Sequence, residues 1–255
     1  MTAVATSPLT GVLKMEWLKL RSVRSTWWIL LAFAAGMVGI AALFGADGPT
    51  HPNADYDPTN SLLTGLALGQ LLIGVLGVLV LSSEFGSGSV RATFAAVPRR
   101  GRVLAAKAAV VTAVTLVAGE ALAFASFAAF QIAARPGVPT PSLGQSAVLR
   151  ALLLGGAYPC LVALIGLGLA AMIRHTVGAV AAVIGVVFVL PLLLLPLGEH
   201  SPVMRFLPEI IAENSLTSVI PVSGWLSAGA GFAMLCLYAA VMLAAGGWVL
   251  ARRDA

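Results

Sequence analysis

Six apolar runs separated by short polar segments set the rhythm of this 255-residue chain. They lie at about 27–44, 61–81, 103–134, 149–173, 176–197 and 225–250. Most meet or approach the roughly 20 residues that a helix needs to cross a bilayer. The pattern therefore predicts an all-α integral membrane protein with six spans. Trp27 and Trp28 sit at one edge of the first run as interfacial anchors. That run is too long for the h-region of a signal peptide and further spans follow, so it reads as an uncleaved helix. The third run is longer than a span requires, so its first turn protrudes or Lys107 snorkels back to the headgroups. Small residues at Gly65 and Gly69, and again at Gly155, Gly156 and Ala157, permit close helix packing, while Pro159 predicts a kink. Pro191 and Pro196 fall toward the end of the fifth span.

The segments between the spans carry patterns of their own. Residues 1–10 have none. Residues 11–26, GVLKMEWLKLRSVRST, place Leu13, Trp17 and Leu20 at helical spacing among Lys14, Lys19, Arg21 and Arg24. They read either as a helix along the inner membrane surface or as a plain basic flank orienting the first span. The chain thus divides into an N-terminal segment, 1–26, and a single transmembrane domain, 27–255. Between the second and third spans lies a basic island, 82–107, SSEFGSGSVRATFAAVPRRGRVLAAK. Ser87 or Ser89 can cap a short helix there, Val90, Phe94 and Val97 fall on one face, and Pro98 stops it. The loop 135–146 is Pro-rich and extended. In 198–224, the stretch RFLPEIIAENSLTSVI is too short and polar to cross, yet too apolar to float free, which predicts one or two short helices against the outer surface.

Composition sharpens this picture. At 59% hydrophobic, 10% charged and a mean hydropathy of +0.98, the solvent for most of the chain must be lipid. The net charge of +5 is not gathered into a stripe with interleaved aromatics, which excludes a nucleic-acid surface. Twelve basic residues fall on one predicted side, including Arg91, Arg99, Arg100, Arg102, Lys107, Arg174, Arg252 and Arg253; only Arg135, Arg150 and Arg205 fall on the other. By the positive-inside rule both termini are cytoplasmic and the protein is multi-pass in the cell membrane.

Candidate chemistry is sparse. Cys160 and Cys236 lie in apolar runs and read as small core hydrophobes rather than a disulfide. His51, Asp55 and Asp57 in the loop 45–60 read as solvated rather than metal-binding. Gln70 and Glu120 stand near the middle of antiparallel neighbouring spans. Either Glu120 is a functional carboxylate, or it is protonated or bonded to Gln70 as interhelical glue. No phosphate-binding loop, zinc motif or nucleophile elbow is present, so no catalytic apparatus and no cofactor or metal are expected on the chain.

The sequence resembles the membrane (permease) subunits of type-2 ATP-binding-cassette transporters. The residues that carry the resemblance are EWLKLRSVRSTWW at 16–28, then Glu84, Gly88, Ser89, Val90, Arg91, Phe94, Pro98, Arg102 and Lys107, and RFLPEIIAENSL at 205–216. The resemblance implies a coupling helix at 88–97, running to Val97, that docks on a separate ATPase subunit. It implies that Glu84, Arg91 and Arg102 position that helix, that ATP and Mg²⁺ bind on the partner, and that a second membrane subunit completes the substrate path. The run 99–102 is more basic than coupling requires, so part of it is suited to anionic lipid. The expected function is ATP-driven export of a small amphiphilic compound. Two alternatives stand beside it: a single-chain proton-coupled exporter using Glu120, and a non-transporting membrane scaffold or immunity protein.

Overall fold

The computed structural model describes residues 9–53, 56–194, 196, 201, 203–218 and 225–252, so Asp55, Glu199 and Arg253 lie outside the described residues. These residues form helices α1 (Leu9–Ser22), α2 (Arg24–Asp47), α3 (Pro58–Leu63), α4 (Gly65–Gly86), α5 (Val90–Ala96), α6 (Arg100–Ala133), α7 (Ser146–Ile173), α8 (Thr176–Ile184), α9 (Leu190–Leu194), α10 (Pro208–Leu216) and α11 (Ala228–Arg252). A π-helical turn, Gly185–Val189, joins α8 to α9, and a 3₁₀ turn, Met204–Phe206, precedes α10. No strand occurs among the described residues. Six helical segments are long and apolar enough to cross a membrane: α2, α3–α4, α6, α7, α8–α9 and α11.

Helix α7 is the central rod, packed against α4, α6 and α11. Small residues let it approach its neighbours closely. A β-carbon at Gly77 of α4 would collide with the Ala163 carbonyl of α7, and one at Gly119 of α6 with the Gly156 carbonyl. Backbone contact of this kind is what holds helices together where lipid removes the hydrophobic drive. The predicted small-residue sites serve the same end, with Gly65 against the Met37 backbone and Gly69 against the Phe33 ring. Helix α7 runs through Pro159 as one element.

Helix α6 has 34 residues, about 50 Å at 1.5 Å per residue, against about 30 Å of hydrocarbon. Its first turns extend past the span and pack against α1. Helix α1 is a formed helix whose buried stripe is Val12, Glu16 and Leu20; of the apolar residues expected on one face, Leu20 is buried, Leu13 half-buried and Trp17 exposed. Val12 joins Val97, Val103 and Ala106 in a small cluster at this end, with Leu13, Met15 and Phe94 around it. Cys160 is buried and Cys236 is exposed on α11, so the expectation of two core cysteines holds for Cys160 alone. The short helices expected before the last span appear as the 3₁₀ turn and α10.

Candidate functional site

Helices α1, α4, α5 and α6 converge on four charged side chains. Lys107 of α6 is 1% exposed and Glu16 of α1 is 2% exposed, values that a lone ion could not sustain away from water. Lys107 Nζ donates to Glu16 Oε2 at 2.6 Å, to Glu84 Oε1 at 2.6 Å and to the Val80 carbonyl at 3.1 Å. Lys19 Nζ donates to Glu84 Oε1 at 2.9 Å, Thr93 Oγ1 at 3.0 Å and Glu16 Oε1 at 3.3 Å. Thr93 Oγ1 in turn donates to Glu84 Oε2 at 3.2 Å.

Each ammonium thus uses all three of its protons, and two cations balance two carboxylates. Desolvating such ions costs several kcal/mol apiece, which attraction offsets only when geometry and hydrogen bonding are complete. Here they are. The cluster ties the N-terminal helix, the ends of two spans and, through Thr93, the short helix α5 into one body. A cavity of about 410 Å³ adjoins it, walled by Lys19, Ser22, Thr26, Ser83 and Leu79 among others.

The local chain explains why α5 sits there. Gly88 has φ +72°, a conformation open to glycine, and it turns the chain out of α4. Neither Ser87 nor Ser89 caps α5 as expected; their hydroxyls bond each other at 2.9 Å instead. Helix α5 ends at Ala96, two residues before Pro98. Its apolar face turns inward: Val90 and Val97 are buried and Phe94 is half-buried, so that face is taken up by the chain's own packing. Arg91, Ala92, Ala95 and Ala96 face outward. Arg100 stacks over the Phe94 ring, 5.3 Å from its centroid, and Nη1 donates to the Leu250 carbonyl at 3.0 Å, joining α6 to the end of α11. Arg174, at φ 58°, lies over the Phe85 ring at 5.5 Å and donates to the Val249 carbonyl at 3.3 Å.

Of the residues that the sequence singled out, Glu84 contacts α5, through Thr93. Arg91 and Arg102 make no side-chain hydrogen bond or ion pair among the described residues; Arg91 and Arg99 are exposed and Arg102 half-buried. Lys107 is solvated by Glu16 and Glu84 within the protein, which is the solvation that snorkelling to headgroups would otherwise supply. Glu16, Lys19 and Thr93 were not anticipated as a set. The available signal was a carboxylate in phase with Val12 and Leu20, and a lysine in phase with Val103 and Val111, each breaking an otherwise apolar stripe.

Of the alternatives for the mid-span polar residues, a Gln70–Glu120 bond does not form among the described residues. The Tyr158 hydroxyl of α7 donates to Gln70 Oε1, both side chains being buried. Glu120 packs against Gly156, and its Oε2 has no hydrogen-bond partner among the described residues. Tyr158 was overlooked because nothing in its own run marks it; only the fold brings it opposite Gln70. Asp57, read as solvated, caps α3 by accepting from the Thr59 and Asn60 amides at 2.8 and 3.3 Å and also receives the Ser218 hydroxyl at 2.7 Å.

Six lipid-length helices, a glycine-packed core and a short helix slung between two spans define a multi-pass membrane protein of the transporter class. Residues 12–192 match the family model described as ABC-2 family transporter protein, well over half of the chain. The chain belongs to that family and is a transmembrane permease. A search for similar curated proteins found no significant match.

Proposed function

We propose that this chain is the permease subunit of an ATP-driven exporter of a small amphiphilic compound, worked by a separate ATPase subunit that docks at α5. The ATPase carries ATP and Mg²⁺. A second membrane subunit completes the path, and the α1 end of the bundle faces the cytoplasm of the cell membrane in which both termini lie inside. The observation that carries this reading is the saturated ion cluster, which joins α5 to α1, α4 and α6 as a lever rather than a loose loop. A docked partner that changes shape between nucleotide states then moves span ends directly, and differential binding of two states makes the cycle directional.

Because Val90, Phe94 and Val97 pack inward, the docking face consists of Arg91, Ala95, Pro98 and Arg99, with Gly88, Ser89 and Arg102 shaping its edges. Co-purification of the ATPase from native membranes tests this. Arg91→Glu with Ala95→Glu abolishes recovery of the ATPase while leaving the unfolding midpoint of the permease unchanged. Transport by the purified chain without ATP or a second subunit overturns the reading.

A second reading is favoured by one observation, the buried Glu120 oxygen without a hydrogen-bond partner among the described residues. As a proton-coupled exporter, the chain would move substrate in proteoliposomes under a pH gradient alone, and Glu120→Gln would stop it.

A further inference from the structure

Helix α1 has two unlike faces. Its inner face, Val12, Glu16 and Leu20, is buried and carries one carboxylate of the ion cluster. Its outer face presents Lys14, Trp17, Leu18 and Arg21, all exposed, at a spacing that gathers them on the opposite side of the helix. Leu18 is 62% exposed and Trp17 46%, large apolar side chains with nothing of this chain over them. The exposed surface does not stop where α1 ends. Trp27 Nε1 donates to the Arg21 carbonyl at 3.0 Å across the elbow between α1 and α2. Val23, Trp27 and Leu31 then carry exposed apolar surface onto α2, a helix of membrane-spanning length.

Charge on this surface has one sign. Lys14, Arg21 and Arg24 make no ion pair among the described residues. Glu16 is the only acidic residue from position 9 to position 46, and Lys107 and Lys19 hold it on the inner side. Three exposed cations therefore stand among tryptophan and leucine with no anion of their own. Tryptophans at the end of a span settle at headgroup depth, which puts the elbow at the level of lipid phosphates. A soluble acidic partner answers the charge alone. A leaflet with anionic headgroups answers both the charge and the apolar surface that runs on into α2.

We propose that the outer face of α1 docks on anionic phospholipids of the adjoining leaflet. Lys14, Arg21 and Arg24 hold the headgroup phosphates, and Trp17 and Leu18 sink among the upper acyl carbons. Because Glu16 and Lys19 of the same helix belong to the ion cluster, lipid charge on one face steadies the joint on the other. A leaflet poor in anionic lipid lets α1 lift and exposes the Lys107 contact. The surface works in this way whether or not an ATPase docks at α5.

Hydrogen exchange of the α1 amides from Val12 to Leu20, followed by mass spectrometry on the full chain in nanodiscs, tests this. Replacing about one third of the phosphatidylcholine by phosphatidylglycerol is expected to slow that exchange at least about tenfold, since each basic side chain near an anionic surface adds to the attraction. Exchange in α7 stays the same in both membranes. Combining Lys14→Gln, Arg21→Gln and Arg24→Gln brings the α1 rates in the two membranes to within about twofold of each other. Should that triple variant fail to fold, the unaltered chain in about 0.5 M sodium chloride gives the same reading, because salt screens exposed headgroup contacts and leaves the buried joint intact. Equal α1 exchange in the two membranes, the outcome expected of a face that awaits a soluble acidic partner, overturns the proposal. So does a slowing shared by α7, or one that survives in the folded triple variant or in the salt.

Discussion

The two ends of the bundle hold their carboxylates in different surroundings. At the α1 end, Glu16, Lys19, Glu84 and Lys107 balance one another and every ammonium proton has an acceptor. At the α10 end, the half-buried Glu209 and the exposed Glu213 border a pocket with Gln70 and Tyr158 on one side of it. A closed cluster has no capacity left for a ligand and acts as a joint between helices. Burial with complete pairing, rather than the number of charges, is what makes the first group a joint.

The contrast is broken most severely at Lys107. Lys107→Met leaves two carboxylates buried against a single ammonium, and unfolding in detergent is expected to register a loss of about 3–5 kcal/mol. Adding Glu16→Leu restores the balance and recovers most of it. Glu213→Gln at the other end changes stability by no more than about 0.5 kcal/mol. Equal losses at both ends would erase the distinction.

A smaller effect is expected at the joint between cluster and lever. Thr93→Val keeps the shape of the side chain but removes its bonds to Glu84 and Lys19, costing about 2 kcal/mol. Hydrogen exchange of α5 amides should quicken while those of α7 stay protected; uniform protection would show that α5 is held by apolar packing alone. Tyr158→Phe leaves Gln70 Oε1 without its donor, for about 1 kcal/mol in the same unfolding assay.

The smallest signal is a pH dependence. Glu209 has a raised carboxyl pKa in the folded protein because of its burial and Glu213, so the folded state binds more protons than the unfolded state through that window. Stability therefore falls as pH rises from the ordinary glutamate value through the raised one, and the penalty is complete above it. Glu209→Gln should flatten that slope in unfolding midpoints collected across the acidic range. An unchanged slope would place the titration elsewhere.

The legibility of the chain follows the range of the forces involved. The short helix after α4 was visible because Gly88, the Val90–Val97 spacing and Pro98 are neighbours in sequence. Its orientation was not, since whether Phe94 meets a partner protein or the chain's own Val12 and Val103 depends on where α1 lies. The same limit governs Gln70: its depth could be counted along one helix, but the choice between Glu120 and Tyr158 turns on the rotation of α6 and α7 about their axes. Glycine contact sets that rotation, through Gly119 against Gly156.

By itself, the sequence determined that this is a membrane protein of six apolar helices with a basic, helix-bearing segment after the second. Transfer of a side chain into lipid is a local property and adds up residue by residue. Tertiary structure alone decided which charges became a joint. Glu16 and Lys107 lie 91 residues apart, and only packing of α1 across α6 brings them within bonding distance, where low dielectric makes their pairing obligatory.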